Sequence, residues 1–167
     1  MTSLRVESDN ILSNPLDMIE QIIIERDWAY DRPNDEEIVA EVTSSWCNYR
    51  IWFSWQSEQG ALAFSCSFGN KIPTLAFTRI YSLLAQVNDK LWLGHFDLTS
   101  EDNAVAFRHG MLLRGGCVIS MEQVEDLIDI AVAECERFYP AFQSVIWGNK
   151  SADEALAAAI FETVGEA

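Results

Sequence analysis

Two histidines, His95 and His109, stand on either side of a short polar turn, with Asp97 and Arg108 near them in the chain. An imidazole pair beside a carboxylate could relay a proton or hold a metal ion. Strand register decides whether it does, because a slip of one residue sends every side chain to the other face. Setting Trp92, Phe96 and Leu98 against Val105, Phe107 and Met111 buries the most apolar area, and it places the histidines on opposite faces. The sequence therefore predicts two incidental imidazoles on half-buried strands. On the same hairpin, Asp97 and Arg108 can form a cross-strand ion pair on the outer face, worth only about 0–1 kcal/mol.

The other reactive side chains make no motif. Cys47, Cys66, Cys117 and Cys135 show no Cys-x-x-Cys spacing and are not close in sequence to either histidine. They read as buried or half-buried thiols rather than as a zinc or redox centre. Gly94 and Gly115-Gly116 are too few and too scattered to cradle a phosphate. No Gly-x-Ser-x-Gly elbow marks a nucleophile. Neither a catalytic residue nor a metal or cofactor is expected.

Trp52 and Trp92 are more informative. Trp52 shares its strand face with Arg50, Ser54 and Gln56, pointing away from the apolar side. A large aromatic there is either covered by a further helix or belongs to a contact surface. The acidic terminal helices must pack somewhere, which favours the covering helix. The alternative makes Trp52, Trp92, Arg50 and Arg108 a partner or dimer contact.

Hydrophobic periodicity supplies the elements that would carry these residues. Asn14-Pro15 opens a helix with Leu16, Ile19, Ile22 and Ile23 on one face, ending near Asp27. Trp28 to Asn34, with Pro33, reads as a turn. Glu36–Ser44, Tyr49–Gln56 and Ala61–Phe68 alternate with period two, as strands of an antiparallel sheet covered on one side do. Pro73 opens a second helix with Phe77, Ile80, Leu84 and Val87 inward, stopping at Asn88-Asp89. The hairpin Leu91–Leu98 and Ala104–Leu113 follows. Ser120-x-x-Gln123 is a capping box for a long helix with Val124, Leu127, Ile128, Ala131, Cys135 and Phe138 on one stripe. Pro140 should kink or restart that helix, and Gly148-Asn149 should end it. Ser151-x-x-Glu154 caps a short terminal helix. The expected class is α+β, an antiparallel sheet of about five strands packed by helices in the order α-βββ-α-ββ-α-α. Residues 14–167 read as a single domain behind a flexible N-terminal stretch, 1–13.

Charge narrows the partners. The net charge is −15. Residues 1–45 hold 11 acids against 3 bases and residues 120–167 hold 10 against 2, so the acid lies at the two ends. Residues 46–119 are near neutral and carry 12 of the 19 aromatics. Phosphate backbones and anionic lipid call for clustered Lys and Arg, so neither nucleic acid nor membrane is an expected partner. No apolar run nears the ~20 residues that span a bilayer. Met1 to Glu7 shows no secretory pattern, so a cytoplasmic location is expected.

Several stretches carry a resemblance: Val42-Thr43-Ser44-Ser45-Trp46, Tyr49 to Trp55, Val87 to Asp97, Phe107-Arg108, and Ala133 to Phe142. With them the chain resembles the YbjN-like family of bacterial sensory transduction regulators over most of residues 35–165. The element order is similar to that of type III secretion chaperones. The resemblance implies a compact, often dimeric chaperone-like fold and no known enzymatic activity. The expected function is thus a non-enzymatic homodimer that binds a protein segment through an apolar sheet face or an exposed edge. The alternatives are a regulatory domain holding a small molecule between sheet and long helix, and an enzyme without a recognisable motif.

Overall fold

A computed structural model describes residues 13–165, with side chains placed through Phe161. The N-terminal stretch set apart above thus falls outside the described residues, except for Ser13. Helix α1 (Leu16–Glu25) starts where Asn14-Pro15 predicts. The Asn14 side-chain oxygen accepts the Leu16 N–H at 3.0 Å. It stops because Asp27 turns left-handed, φ 56°. The Asp27 and Trp28 amides then donate back to the Ile24 and Ile23 carbonyls at 3.0 and 3.2 Å, satisfying the last turn.

Six antiparallel strands follow, not about five, in the spatial order β1-β2-β3-β4-β6-β5. They are β1 (Tyr30–Asn34), β2 (Glu37–Thr43), β3 (Asn48–Gln56), β4 (Ala61–Ser67), β5 (His95–Thr99) and β6 (Ala104–Leu112). The added strand is β1, which the sequence reading takes for a turn. Pro33 is tolerated because β1 is an edge, where a missing N–H breaks no ladder, and its pairing with β2 is irregular between Asp31 and Asn34. Arg32 tethers this edge to α1, reaching Asp17 at 2.7 Å and Glu20 at 2.5 Å.

After β4, a short 3-10 turn (Thr74–Ala76) leads into α2 (Phe77–Asn88), and α3 (Met121–Ile146) and α4 (Ala152–Gly165) close the chain. Both capping boxes form: Ser120 and Gln123 cap each other, as do Ser151 and Glu154. Of the kink or restart expected at Pro140, the restart does not occur: α3 runs through the proline to Ile146. Proline costs the helix one hydrogen bond, but Phe138, Ala141, Phe142 and Val145 are buried on both sides of it. Their packing keeps the segment after the proline helical.

The apolar faces lie as their periodicity requires. Ile38, Ala40, Val42, Ile51, Phe53, Trp55, Leu62, Phe64 and Cys66 are buried on one side of the sheet, under α1, α2 and α3. Rings fill the space between sheet and α3. Phe96 meets Phe68, Phe107, Phe138 and Phe142 at centroid distances from 5.4 to 6.1 Å.

Candidate functional site

Helix α4 packs on α3 and α2 rather than on the far side of the sheet, so no described helix covers Trp52. The favoured expectation of a covering helix is overturned. The reason is topological: α3 and α2 present enough apolar surface to one another's side to hold α4 there, through Ala152, Ala155, Leu156 and Ala159.

What lies on the bare face follows from register. Trp52 of β3 stands opposite Ser65 of β4, which stands opposite Arg108 of β6; Arg50 stands opposite Ser67, which stands opposite Ala106. On this face β4 offers only Ala61, Ala63, Ser65 and Ser67. Between Arg50 and Trp52 of β3 and Arg108 of β6, the small Ser65 and Ser67 leave a trough. Strands sit about 4.8 Å apart, so its walls are about 10 Å from each other. The resulting groove has a volume of about 680 Å³, with Arg50, Trp52, Ser65, Ser67, Ala106 and Arg108 along it. Glu37 and Asp97, with Glu101 and Asp102 of the β5–β6 turn, complete its rim.

Three of the four residues singled out from the sequence therefore meet here: Arg50, Trp52 and Arg108. The fourth does not line the groove. Trp92 is 78% exposed but lies before β5, because the strand expected from Leu91 begins only at His95. Gly94 explains the late start. Its φ is +65°, and a Cβ there would lie 2.3 Å from the Phe107 ring, so the chain turns sharply before it can pair. Trp92 consequently has no place opposite Met111.

The hairpin register otherwise agrees with the apolar pairing. Phe96 faces Phe107 and Leu98 faces Val105, while His95 pairs with Arg108. The histidines fall on opposite faces. Burial, then the charge of His95, lowers the His109 pKa below the usual imidazole value, so the ring is neutral at pH 7. Arg108 and Asp97 form the outer-face ion pair at 3.1 Å, both half-exposed.

Among the described residues, both sheet edges are blunted. Pro33 and the irregular register blunt β1. On β5, the Asn88 side chain accepts the Phe96 N–H at 2.7 Å and donates to the Phe96 carbonyl at 2.9 Å, occupying the backbone that an added strand would use. Asn88 was read only as a helix stop.

One cluster escaped the sequence reading altogether. At the far end of β3, Tyr49 donates to Glu136 Oε1 at 2.7 Å and Ser44 donates to the same oxygen. Cys66 and Cys135 bring their sulfurs to 3.7 Å nearby, and Trp46 stacks on Tyr139 at 6.0 Å. Residues 44 to 139 are too distant in sequence for any spacing rule to unite them. Chemically the cluster is quiet. Burial raises the Cys47 thiol and, much further, the Cys135 thiol; burial and the Glu136 carboxylate raise the Tyr49 phenol. These groups keep their protons at neutral pH, and a protonated thiol is a poor nucleophile. Among the described residues, no group of three or more His, Cys, Asp or Glu is placed to hold a metal ion, and no helix is long and apolar enough to cross a membrane.

Comparison with known proteins bears on the fold. The YbjN family model, described as "Putative bacterial sensory transduction regulator", matches residues 15–144, a span that includes every residue of the groove. The crystal structure of YbjN, described as "a putative transcription regulator from E. coli", is similar with a TM-score of 0.51 at 9% identity, covering 88% of this chain and 93% of that one. At that identity the likeness is one of fold. No curated protein matches the sequence.

Proposed function

Since the chain belongs to the YbjN family, whose members are described as regulators of sensory transduction, we propose that it is a non-enzymatic regulatory module that engages a protein segment on the helix-free face of its sheet. The observation that carries this reading is the groove itself: about 680 Å³, open, with Trp52 and two arginines over a floor of serine and alanine. A folded protein normally covers such a tryptophan or uses it. The face is mixed rather than apolar, and the edges are blunted, so docking proceeds on the face and not by strand addition. The protonated thiols and phenols and the split histidines support a role without bond-making chemistry. In this reading the protein is cytoplasmic and a homodimer, in keeping with its resemblance to secretion chaperones. Its acidic ends keep it soluble and away from nucleic acid.

A photo-crosslinking side chain at Ser65, in the native cell, tests the proposal. The expected result is one distinct adduct that disappears with Trp52→Ala and is missing when the probe sits at exposed Glu122. Identical adducts from both positions, or none from Ser65, would sink it. Light scattering on the purified protein tests the dimer directly.

A further inference from the structure

We infer that the segment held in this groove is cationic: an extended, lysine- or arginine-bearing stretch of a partner protein, seated over Ser65 and Ser67 of β4 with a basic side chain over the Trp52 ring. The inference rests on the interaction reading above and deepens it.

Charge inside the groove supports a cation. Four carboxylates, Glu37, Asp97, Glu101 and Asp102, face two guanidiniums, Arg50 and Arg108. Arg108 is already bound to Asp97 at 3.1 Å. Among the described residues, Glu37, Glu101 and Asp102 have no ion-pair partner. That leaves three unpaired carboxylates against Arg50 alone, within a chain of net charge −15. An incoming anion would meet repulsion at short and long range, whereas a cation is drawn in by both.

The tryptophan supports the same sign. Arg26 lies over Trp28 and Arg137 over Phe138, at 5.1 and 4.8 Å from the ring centroids. Among the described residues no cation lies over Trp52, although the residue is only half-buried. An aromatic face beside carboxylates suits an ammonium or guanidinium group. The Ser65 and Ser67 hydroxyls can accept its N–H donors.

Shape favours an extended chain. The floor is Ser65 and Ser67 of β4 with Ala106 of β6, between walls about 10 Å apart, and it opens onto the β5–β6 turn at Ser100 to Asp102. A short extended segment fits that space without needing a free sheet edge. Alternate side chains would point down into the trough, and a lysine among them reaches Trp52.

Fluorescence anisotropy with three labelled nine-residue peptides tests this on the full chain. One alternates lysine with threonine and valine, one carries glutamine in place of lysine, and one carries glutamate. The lysine peptide is expected to bind at least tenfold more tightly than either of the others. Trp52→Ala should weaken it at least tenfold, and so should the triple variant Glu37→Gln, Glu101→Gln, Asp102→Asn, which touches no buried residue. A control triple, Glu58→Gln, Asp89→Asn, Asp126→Asn, removes the same charge away from the groove and should change affinity less than twofold. Equal binding of the lysine and glutamine peptides, tighter binding of the glutamate peptide, or an equal loss in the control triple overturns the inference. If the Ser65 adduct persists while the lysine preference is absent, the interaction reading survives and the charge assignment falls. If the adduct is absent as well, both fall.

Discussion

At the level of single residues, a part-buried polar bond joins Tyr49 on the sheet to Glu136 on α3 at 2.7 Å. A carboxylate that loses a donor in a half-buried place keeps much of its desolvation cost. Tyr49→Phe should therefore destabilise the fold by about 1–2 kcal/mol in urea unfolding, although it adds no volume and removes only one oxygen. His109 sets a pH dependence. Its folded pKa lies below the usual 6.5 because burial disfavours the charged ring, while the unfolded chain takes up the proton near 6.5. Stability from the neutral ring is whole above that value and is lost as pH falls through the folded pKa. Thermal unfolding between pH 7.5 and 5 should show the melting temperature falling, and His109→Gln should flatten that fall. An unchanged slope in the variant would mean that other groups carry it.

Among the elements, the end strand β5 depends on two devices. Gly94 supplies the left-handed turn that starts it, and Asn88 on α2 grips the Phe96 backbone from outside. Removing the amide frees two backbone groups and uncovers an edge. Asn88→Ala is expected to cost about 2 kcal/mol in urea unfolding and to raise the apparent mass in concentration-dependent light scattering. If the mass stays constant at every concentration, the role of Asn88 as an edge guard is wrong. The other edge shows what the sequence reading could not see. Tyr30 to Asn34 has no alternating pattern and contains a proline, so it reads as a turn. It becomes a strand because β2 is there to pair with it and because Arg32 finds Asp17 and Glu20 on α1.

For the whole molecule, the acid at both ends makes self-repulsion a property of the fold. Raising sodium chloride from about 10 to 150 mM shortens the screening length from about 30 to 8 Å, so the melting temperature should rise by a few degrees. No rise would mean that local ion pairs already offset the net charge. The periodicities of α1, α2 and α3 and of the four central strands were sufficient to state which side chains turn inward, because burial demands a repeat of 3.6 or 2 wherever one face meets a core. Both capping boxes and the hairpin register were legible for the same reason: they are local, or they follow from apolar area. Where α4 would lie, and so whether Trp52 was roofed or open, had no local signature. Two other matters were equally hidden: the gathering of Arg50, Trp52 and Arg108 around one trough, and the meeting of Tyr49 with Glu136 from 87 residues away. Those depend on which surfaces compete best for the same apolar partner, and that contest is settled only when the whole chain is packed.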